Sequence, residues 1–576
     1  MKSHELHRAV LIDVYRSVGL SHDRDVQRLV KRASSEGRHF LDITLPTLDD
    51  FLLEGLSKGS LPSITGWAMK RCKPKFLFPL WDRVFDDAGV VLSEPCTDSI
   101  RGIRQISRLS KKVFEVCSTS NVESAISKFI ELDASLADSE YFSTLPDIAF
   151  ILFKDVIHGV SEEAIVENVQ HGPGAVAEGL DSVSKFDFPS VSPEIESVFG
   201  PEVFRPFWGW GLQEPPKTAV VPARLHAAPK TAVKPRLISI EPVYNQYIQQ
   251  GIHSILKRGI GRMAICQYDS ASPNWELARQ GSIDGTLSTI DLSDASDRVS
   301  LSLFEHVFSR FPRFVAYCKA SRSATVDTGH GVINLRKFAS MGSTVTFPVE
   351  ALVFTAILVM SVMECDGLGL SSVRAIARRP GLRVYGDDII VPTIYCPKLF
   401  ENLERFGLKV NQNKSFFSGS FRESCGMDYY KGIQVQPVYQ RKHLPQNRHH
   451  VEEIISLSSF RDRFLGIYGE GAVTSLVDDL LNRVLGYYPW HSDPPRSNSV
   501  SRRGKSKTRW NRDLQRHETL VWVQSSKRRL TRASDYAKLF ASLSYVGSDE
   551  PPDLDRVTHG ARPYAAKLKR RWVEEY

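Results

Sequence analysis

Cysteine is scarce in this sequence: eight in 576 residues, at Cys72, Cys96, Cys117, Cys266, Cys318, Cys365, Cys396 and Cys425. No two form a CxxC pair and no Cys/His cluster has zinc spacing, which excludes a zinc module and a disulfide framework. They read as reduced thiols of a cytosolic protein. Long apolar runs are also missing. The most apolar run, Ala351 to Met363, is too short to span a bilayer and follows Pro348 and Glu350, so it reads as a buried helix. Met1-Lys2-Ser3-His4-Glu5 opens no secretory apolar region. Internal repeats and a clear domain-separating linker are absent. Charge of one sign is in slight excess, +8 with a pI of about 8.9, so its distribution matters more than its total. What is present is ordinary globular composition, 42% hydrophobic and 24% charged, in a chain long enough for several sub-domains around a large core.

Residues 1 to about 165 have mostly helical periodicity. Val10, Leu11, Val14, Tyr15 and Val18 share a face, as do Leu48, Phe51, Leu52 and Leu56, and again Ile148, Ile151, Leu152 and Val156. Lys70, Arg71, Lys73 and Lys75 interleave with Trp67, Phe76 and Phe78, a mix that can grip nucleic acid or form an amphipathic segment with solvated charges. His171-Gly-Pro-Gly174 is a turn signal, and Trp208-Gly-Trp210 offers either stacking faces or core. Towards the other end, Val451 to Phe464 and Val473 to Leu485 read as helices. Pro494 to Trp510 is polar, basic and mobile in character, and with Lys527, Arg528, Arg529 and Arg532 it makes the C-terminal part the most basic.

The chemistry concentrates in the middle. Arg383 to Val391 is a hairpin of two apolar arms around Tyr385-Gly386-Asp387-Asp388. Adjacent strand side chains point to opposite faces, so two useful carboxylates in a row want a turn. Such oxygens suit Mg²⁺ that also holds phosphates, although an acidic surface hairpin has the same residues. Leu287 to Ile290 reads as a short strand ending in Asp291, followed by Ser293, Asp294, Ser296 and Asp297. Asp294 or Ser296 can cap a helix, whereas Asp291 follows the apolar run directly and is a rigidly mounted ligand candidate. Lys230, Lys234 and Arg236 punctuate extended, proline-marked backbone. Lys234 and Arg236 share a face if that backbone is a strand, and the three suit a triphosphate or an exposed basic edge. Ser340 to Glu350 is a small-residue loop entering the apolar helix, where Gly342 and Ser343 allow close approach by backbone or ribose. Pro397 opens a helix closed by Gly407. Leu408-Lys-Val410 reads as a strand, Lys414 lies in a polar turn, and Phe421-Arg-Glu-Ser-Cys-Gly426 begins another strand or hairpin.

The order of these parts fits two-metal phosphoryl transfer, with carboxylates from two neighbouring strands, a cationic triphosphate grip and Lys414 to protonate or neutralise the leaving group. Asp291-Leu-Ser-Asp-Ala-Ser-Asp297 resembles polymerase motif A, Ser340-Met-Gly342 through Thr346 and Glu350 motif B, and Tyr385-Gly-Asp-Asp388 motif C. The region around Lys414 resembles motif D, Phe421 to Gly426 the phage form of motif E, and Lys230 to Pro242 motif F. Over residues 217 to 430 the sequence thus resembles RNA-directed RNA polymerases, in particular the replicase beta subunit of small single-stranded RNA bacteriophages, the leviviruses.

The resemblance implies an α+β right-hand polymerase fold with an antiparallel palm sheet and largely helical N- and C-terminal parts. The implied division is an N-terminal region and part of the fingers over 1–215, and fingers with the basic segment over 216–285. A palm over 286–430 with an insertion at about 301–338, and a thumb with basic C-terminal region over 431–576, complete it. It implies template-directed RNA synthesis from ribonucleoside triphosphates. Asp291, Asp387 and Asp388 would be at two Mg²⁺ ions, or Mn²⁺ in their place. Lys230, Lys234 and Arg236 would be at the triphosphate, and Asp297, Ser343 and Thr346 at the ribose. It further implies primer-independent initiation, the host elongation factors Tu and Ts as partners, and the cytoplasm of an infected bacterium as location. Glu350 departs from the Asn that many RNA polymerases carry there, and sets another negative charge beside Asp297. Two alternatives stay open: a reverse transcriptase, disfavoured by the small polar residues from Ser293 to Asp297, and a non-catalytic RNA-binding or assembly protein of polymerase-like fold.

Overall fold

The computed structural model describes residues 4–113, 117–136, 141–200, 203–204, 214, 216–231, 234–266, 269–491, 499–505, 507–528, 532–544 and 563–574. The first part is helical, as the 3.6-residue periodicity predicts. Helix α1 (His4–Ser17) buries Val10, Leu11, Val14 and Tyr15, and α2 (Thr47–Lys58) buries Leu48, Phe51, Leu52 and Leu56. Helices α3 (Thr97–Arg108), α4 (Thr119–Ser135) and α5 (Leu145–Ile157) follow. The cations near Trp67 are engaged within the fold: Lys73 is buried against Asp82 at 2.7 Å, Arg71 pairs with Asp87, and Lys70 lies over Phe78. Arg71 and Lys75 keep exposed side chains, so the stretch keeps a basic surface. His171 is a core residue packed among Phe186, Phe188 and Tyr247, and burial keeps its imidazole well below its ordinary pKa. Trp208 and Trp210 lie outside the described residues.

The central part begins with an antiparallel pair, β1 (Ala223–Ala228) and β2 (Arg236–Ile240). Then come α6 (Val243–Ile260), α7 (Ser272–Asp284) and β3 (Leu287–Ile290). Strands β4 (Thr325–Asp327) and β5 (Val332–Asn334) extend the first sheet, in the order β2-β1-β4-β5. Helix α8 (Thr346–Cys365) is apolar on every side and buried along nearly its whole length, which is why its length and apolarity serve a core and need no bilayer. Strands β6 (Arg383–Tyr385) and β7 (Asp388–Pro392) form the expected hairpin. With β3 they make a three-stranded antiparallel sheet of order β6-β7-β3. Helix α9 (Cys396–Arg405) starts with Pro397 in its first turn and is followed by Gly407 at φ 78°. Leu408 to Val410 is no strand; a single bridge joins Val410 to Leu292. Strands β8 (Phe421–Ser424), β9 (Met427–Tyr430) and β10 (Ile433–Gln434) form a second three-stranded sheet.

Helices α10 (Val451–Tyr468) and α11 (Ala472–Leu485) fall where the sequence predicts. The rest of the C-terminal part corrects the expectation of a largely helical region. Strands β11 (Ser499–Val500), β12 (Thr508–Asn511), β13 (Arg516–Arg528) and β14 (Pro563–Glu574) build an antiparallel sheet in which β13 pairs with the other three. Ser499–Val500, Arg502–Arg503 and Thr508–Asn511 of this basic stretch are therefore drawn into strands. Its β-branched and aromatic partners Thr519, Val521 and Trp522 are buried on β13, and that packing outweighs the polar composition. Residues 494–498, Arg529 and the side chains of Lys527 and Arg528 lie outside the described residues.

Two apolar cores organise the molecule. One runs from Leu145 to Val410 around α8. The other joins the first helices, Leu6 to Leu109, to residues from Phe416 to Leu568. The N- and C-terminal parts are joined by specific caps as well. Asp13, fully buried on α1, accepts from the Ala472 and Val473 amides at 2.8 Å each, which satisfies two otherwise orphaned N–H groups at the start of α11. Arg104 bonds Asp49 at 2.9 Å and Asp428 of β9 at 2.9 Å, tying α2 and α3 to the second sheet.

Candidate active site

The centre of the site is set by strand register. Ile290 pairs with Ile389 across β3 and β7, and one further step places Asp291 opposite Asp388. In the hairpin Tyr385 pairs with Asp388, leaving Gly386 and Asp387 as a two-residue turn. Gly386 has φ 60°, and a Cβ there would enter the Phe347 ring of α8, so glycine is required twice over at this point. The turn thus sets Asp387 beside Asp388 and on the side of Asp291, and the half-buried Asp291 and Asp388 set it apart from a solvated acidic hairpin.

Each carboxylate has its own protein partners. Asp291 Oδ2 accepts from Asn411 Nδ2 at 2.7 Å and lies 3.4 Å from Lys414 Nζ, while its backbone is bonded to Asn411 and Ser415. Asp388 Oδ2 accepts from the Cys425 amide at 3.2 Å, at the β8–β9 turn. Burial pushes the Asp291 carboxyl above its ordinary range; Asp387 adds to this and Lys414 and Asn411 oppose it. Burial, then Asp387 and Asp291, push Asp388 up to about 7. Glu350, buried on α8, is raised well above the usual range by burial and by Asp387 and Asp297, and its Oε2 has no hydrogen-bond partner among the described residues. Glu423 is raised by burial, Asp428 and Asp388.

Cations lie within electrostatic reach of these carboxylates. Lys230 and Lys234 lie in the loop joining β1 and β2, and only Arg236 of the three is in a strand. This corrects the shared-strand-face expectation: Thr231 Oγ1 accepts from the Lys234 amide at 2.9 Å and turns the chain before β2 begins. All three are exposed. The Lys230 ammonium is held below its ordinary range first by partial desolvation, then by Arg236, Lys414 and Lys234, against the pull of Asp291. These five charges therefore form one electrostatic neighbourhood.

The loop before α8 serves its backbone first. Gly342, at φ 121°, lies against the Ser239 carbonyl of β2, and the Ser239 amide donates to the Met341 carbonyl at 2.8 Å. Thr346 Oγ1 donates to the Ser340 carbonyl at 2.8 Å and closes the loop. Ser343 Oγ is buried without a hydrogen-bond partner among the described residues. Asp297 Oδ1 accepts from Lys337 Nζ at 3.1 Å. Asp294 precedes a short helix, Ala295–Arg298, but its side chain caps none of that helix's amides: it is held at φ 52° with its carboxylate on Lys128 at 2.8 Å. Sequence reasoning missed Asn411, Ser415 and Lys337. Asn411 is three residues before Lys414 in the same polar turn, a spacing that could have drawn attention to it; Lys337 carries no local signal.

Among the described residues no three His, Cys, Asp or Glu side chains converge tightly enough to hold a metal ion as they stand, since Asp291 and Asp388 are turned onto Lys414, Asn411 and the Cys425 amide. The donor set nonetheless fits a hard divalent cation. It is all carboxylate oxygen, and burial first, with the neighbouring carboxylates adding to it, raises Asp388 and Glu350, a strain that a cation among them would relieve.

Comparison with known proteins places this segment. Residues 213–455 match the family model described as RNA replicase, beta-chain. The RNA-directed RNA polymerase beta chain of Enterobacteria phage fr is 35% identical over 257 residues, 44% of this chain and 43% of that protein. The corresponding chain of Escherichia phage MS2 is 34% identical over 266 residues, 46% and 44% of the two. The RNA-directed RNA polymerase subunit beta of Qbeta virus strain MX1 is 38% identical over 213 residues, 37% and 34%. The match thus spans less than half the length of these relatives. Among solved structures, an in situ structure of the BmCPV RNA-dependent RNA polymerase at elongation state aligns with a TM-score of 0.48 at 12% identity, covering 83% of this chain and 48% of the other. Over residues 213–455, which hold Asp291, Asp387, Asp388 and the cations around them, this chain is similar to the RNA replicase, beta-chain family.

Proposed function

We propose that this chain is an RNA-directed RNA polymerase that replicates a phage genome from ribonucleoside triphosphates. The observation that carries the reading is the register of β3 against β7, which brings Asp291 to the Asp387–Asp388 turn with Lys230 and Lys414 alongside. In this reading the β6-β7-β3 sheet is the palm of a right-hand fold. Residues 1–215 and 216–285 supply the N-terminal region and fingers, 286–430 the palm, and 431–576 the thumb.

Asp291, Asp387 and Asp388 would hold two Mg²⁺ ions, which when bound acidify the attacking 3′-hydroxyl and neutralise charge on the leaving pyrophosphate. Lys230, Lys234 and Arg236 bind the triphosphate, Lys as point charges and Arg as a planar fork. Lys414, more than half exposed, can leave Asp291 and give its proton or its charge to the departing pyrophosphate. Asp297 and Ser343 face the ribose, and Thr346 supports them by closing the loop. The proposed setting is the cytoplasm of an infected bacterium, with the elongation factors Tu and Ts as partners.

The test is incorporation of NTPs and dNTPs on one RNA template by the purified chain with Mg²⁺, with and without the two factors. NTP incorporation is expected, and Asp387→Asn should lower it by about a thousandfold or more with template binding kept. Near-normal incorporation by that variant overturns the site; a dNTP preference points to a reverse transcriptase. No Mg²⁺-dependent synthesis under either condition points to an RNA-binding or assembly protein.

A further inference from the structure

Lys337 is a lysine with no solvent exposure, which is costly unless its charge is matched. Its main chain is fixed on both sides. The Lys337 and Arg336 amides donate to the two carboxylate oxygens of Asp133, at 3.1 and 2.9 Å, and Arg322 donates to the Leu335, Lys337 and Phe338 carbonyls at 2.9 to 3.0 Å. Its side chain passes over the Phe129 ring, 3.5 Å from the centroid, and ends between two carboxylates. Asp297 is the nearer, at 3.1 Å, and Asp133 the farther, at 3.7 Å. Phe129 and Asp133 both stand on α4, outside the segment 213–455. The same helix holds the segment carrying Asp297 a second time, through Lys128 and Asp294 at 2.8 Å.

We infer that α4 and Lys337 form a positioning clamp on the short helical turn Ala295–Arg298 and the Asp294 before it, and that the clamp sets the preference for ribose over deoxyribose in the bound nucleotide. The inference rests on the polymerase reading for the placement of Asp297 at the sugar. Lys337 takes Asp297 Oδ1 and fixes the carboxylate plane; the other oxygen then has one direction in which to accept from a 2′-hydroxyl. Asp297 keeps about a quarter of its side-chain surface open, so it can be held from behind and still meet a ligand. Without Lys337 the carboxylate can rotate, and a hydroxyl gains less from it. Deoxynucleotides, which never make that contact, should be unaffected. A lysine serving stability alone would change both nucleotides together.

The experiment measures ATP and dATP affinity in the full chain loaded with an RNA template and a 3′-deoxy-terminated RNA primer, so that no turnover occurs. The wild type, Lys337→Met, Lys337→Arg and Lys128→Ala are compared, with melting temperature as the folding control. Lys337→Met should lower the ATP-to-dATP affinity ratio about tenfold with dATP affinity kept, as expected for a charge-assisted contact. Lys337→Arg should restore much of the ratio, and Lys128→Ala, an exposed pair, should lower it about two- to threefold. An unchanged ratio in Lys337→Met, including a parallel loss of both nucleotides, overturns the inference. Should that variant not fold, an unchanged ratio in Lys128→Ala overturns it instead. Failure of the polymerase reading appears separately, as a wild-type chain that incorporates nothing and binds ATP and dATP alike, which overturns the clamp with it; an active wild type whose ratio is unchanged in Lys337→Met overturns the clamp alone.

Discussion

Asn411 donates to Asp291 Oδ2 at 2.7 Å, the same oxygen that lies 3.4 Å from Lys414 Nζ. Asn411 is thus a neutral holder of a carboxylate that the proposed mechanism turns towards cations. Asn411→Ala should raise the Mg²⁺ concentration for half-maximal incorporation about tenfold, as loss of a ligand-orienting partner does elsewhere. A Mg²⁺ titration of the variant that overlays the wild type would show that Asn411 holds only the turn.

Gly386 is required by its left-handed backbone and by the Phe347 ring beside it. Gly386→Ala should destabilise the fold by about 1–3 kcal/mol and remove incorporation, because the turn that presents Asp387 must shift. Adding Phe347→Ala should recover part of the stability by removing the clash but not the backbone strain. Thermal unfolding of the two variants separates the contributions; equal stability of wild type and Gly386→Ala would refute the strain.

Lys230 is within electrostatic reach of Arg236, Lys414 and Lys234, which oppose its charge, and of Asp291, which favours it. Lys230→Met should raise KM for NTPs about tenfold while kcat changes less, since a triphosphate contact present in ground and transition states is lost. Steady-state kinetics on a fixed template measure this. A fall in kcat at constant KM would instead give Lys230 a part in the chemical step.

The buried Asp49 carboxyl gives a pH prediction away from the site. Burial alone would raise it, but Arg104 and then Arg108 outweigh burial, so it lies below its ordinary range in the folded chain. A group lowered on folding contributes stability above its unfolded pKa, about 3.9, and loses it as pH falls through that value towards the folded one. The melting-temperature advantage of the wild type over Asp49→Asn should therefore be full at pH 6 and shrink below about pH 4. Arg104→Met leaves Asp49 and Asp428 short of a buried partner and should cost about 3–5 kcal/mol at neutral pH. A constant difference between wild type and Asp49→Asn from pH 6 to 3 would contradict the assignment.

Periodicity and turn chemistry made much of this molecule readable in advance. The faces of α1 and α2, the buried α8 and the hairpin around Gly386 all follow from side chains a few residues apart. The adjacency of Asp291 and Asp388 was inferable because both lie at the ends of short apolar strands. Lys337 and Asp133 were not, because 204 residues separate them and neither is part of a periodic pattern. The C-terminal sheet was misread for a related reason: Ser499 to Trp510 is polar in itself, and its strands β11 and β12 exist by pairing with β13. Thr346 had a plausible ligand role by position, yet its hydroxyl is bonded to the Ser340 carbonyl, a loop-closing contact that residue type does not reveal.

The core shared by the first helices and the C-terminal helices sets a schedule for synthesis. Leu48, Phe51 and Leu52 are made early, while Val473, Val477 and Leu481 in the same core come more than 400 residues later. At about 5–20 residues per second, a ribosome needs roughly 20–80 s to bridge that gap. During that interval the nascent N-terminal helices can pack on one another but lack the part of their core that the later residues supply, so this core is completed last, after the carboxylate sheet between its two halves has been made.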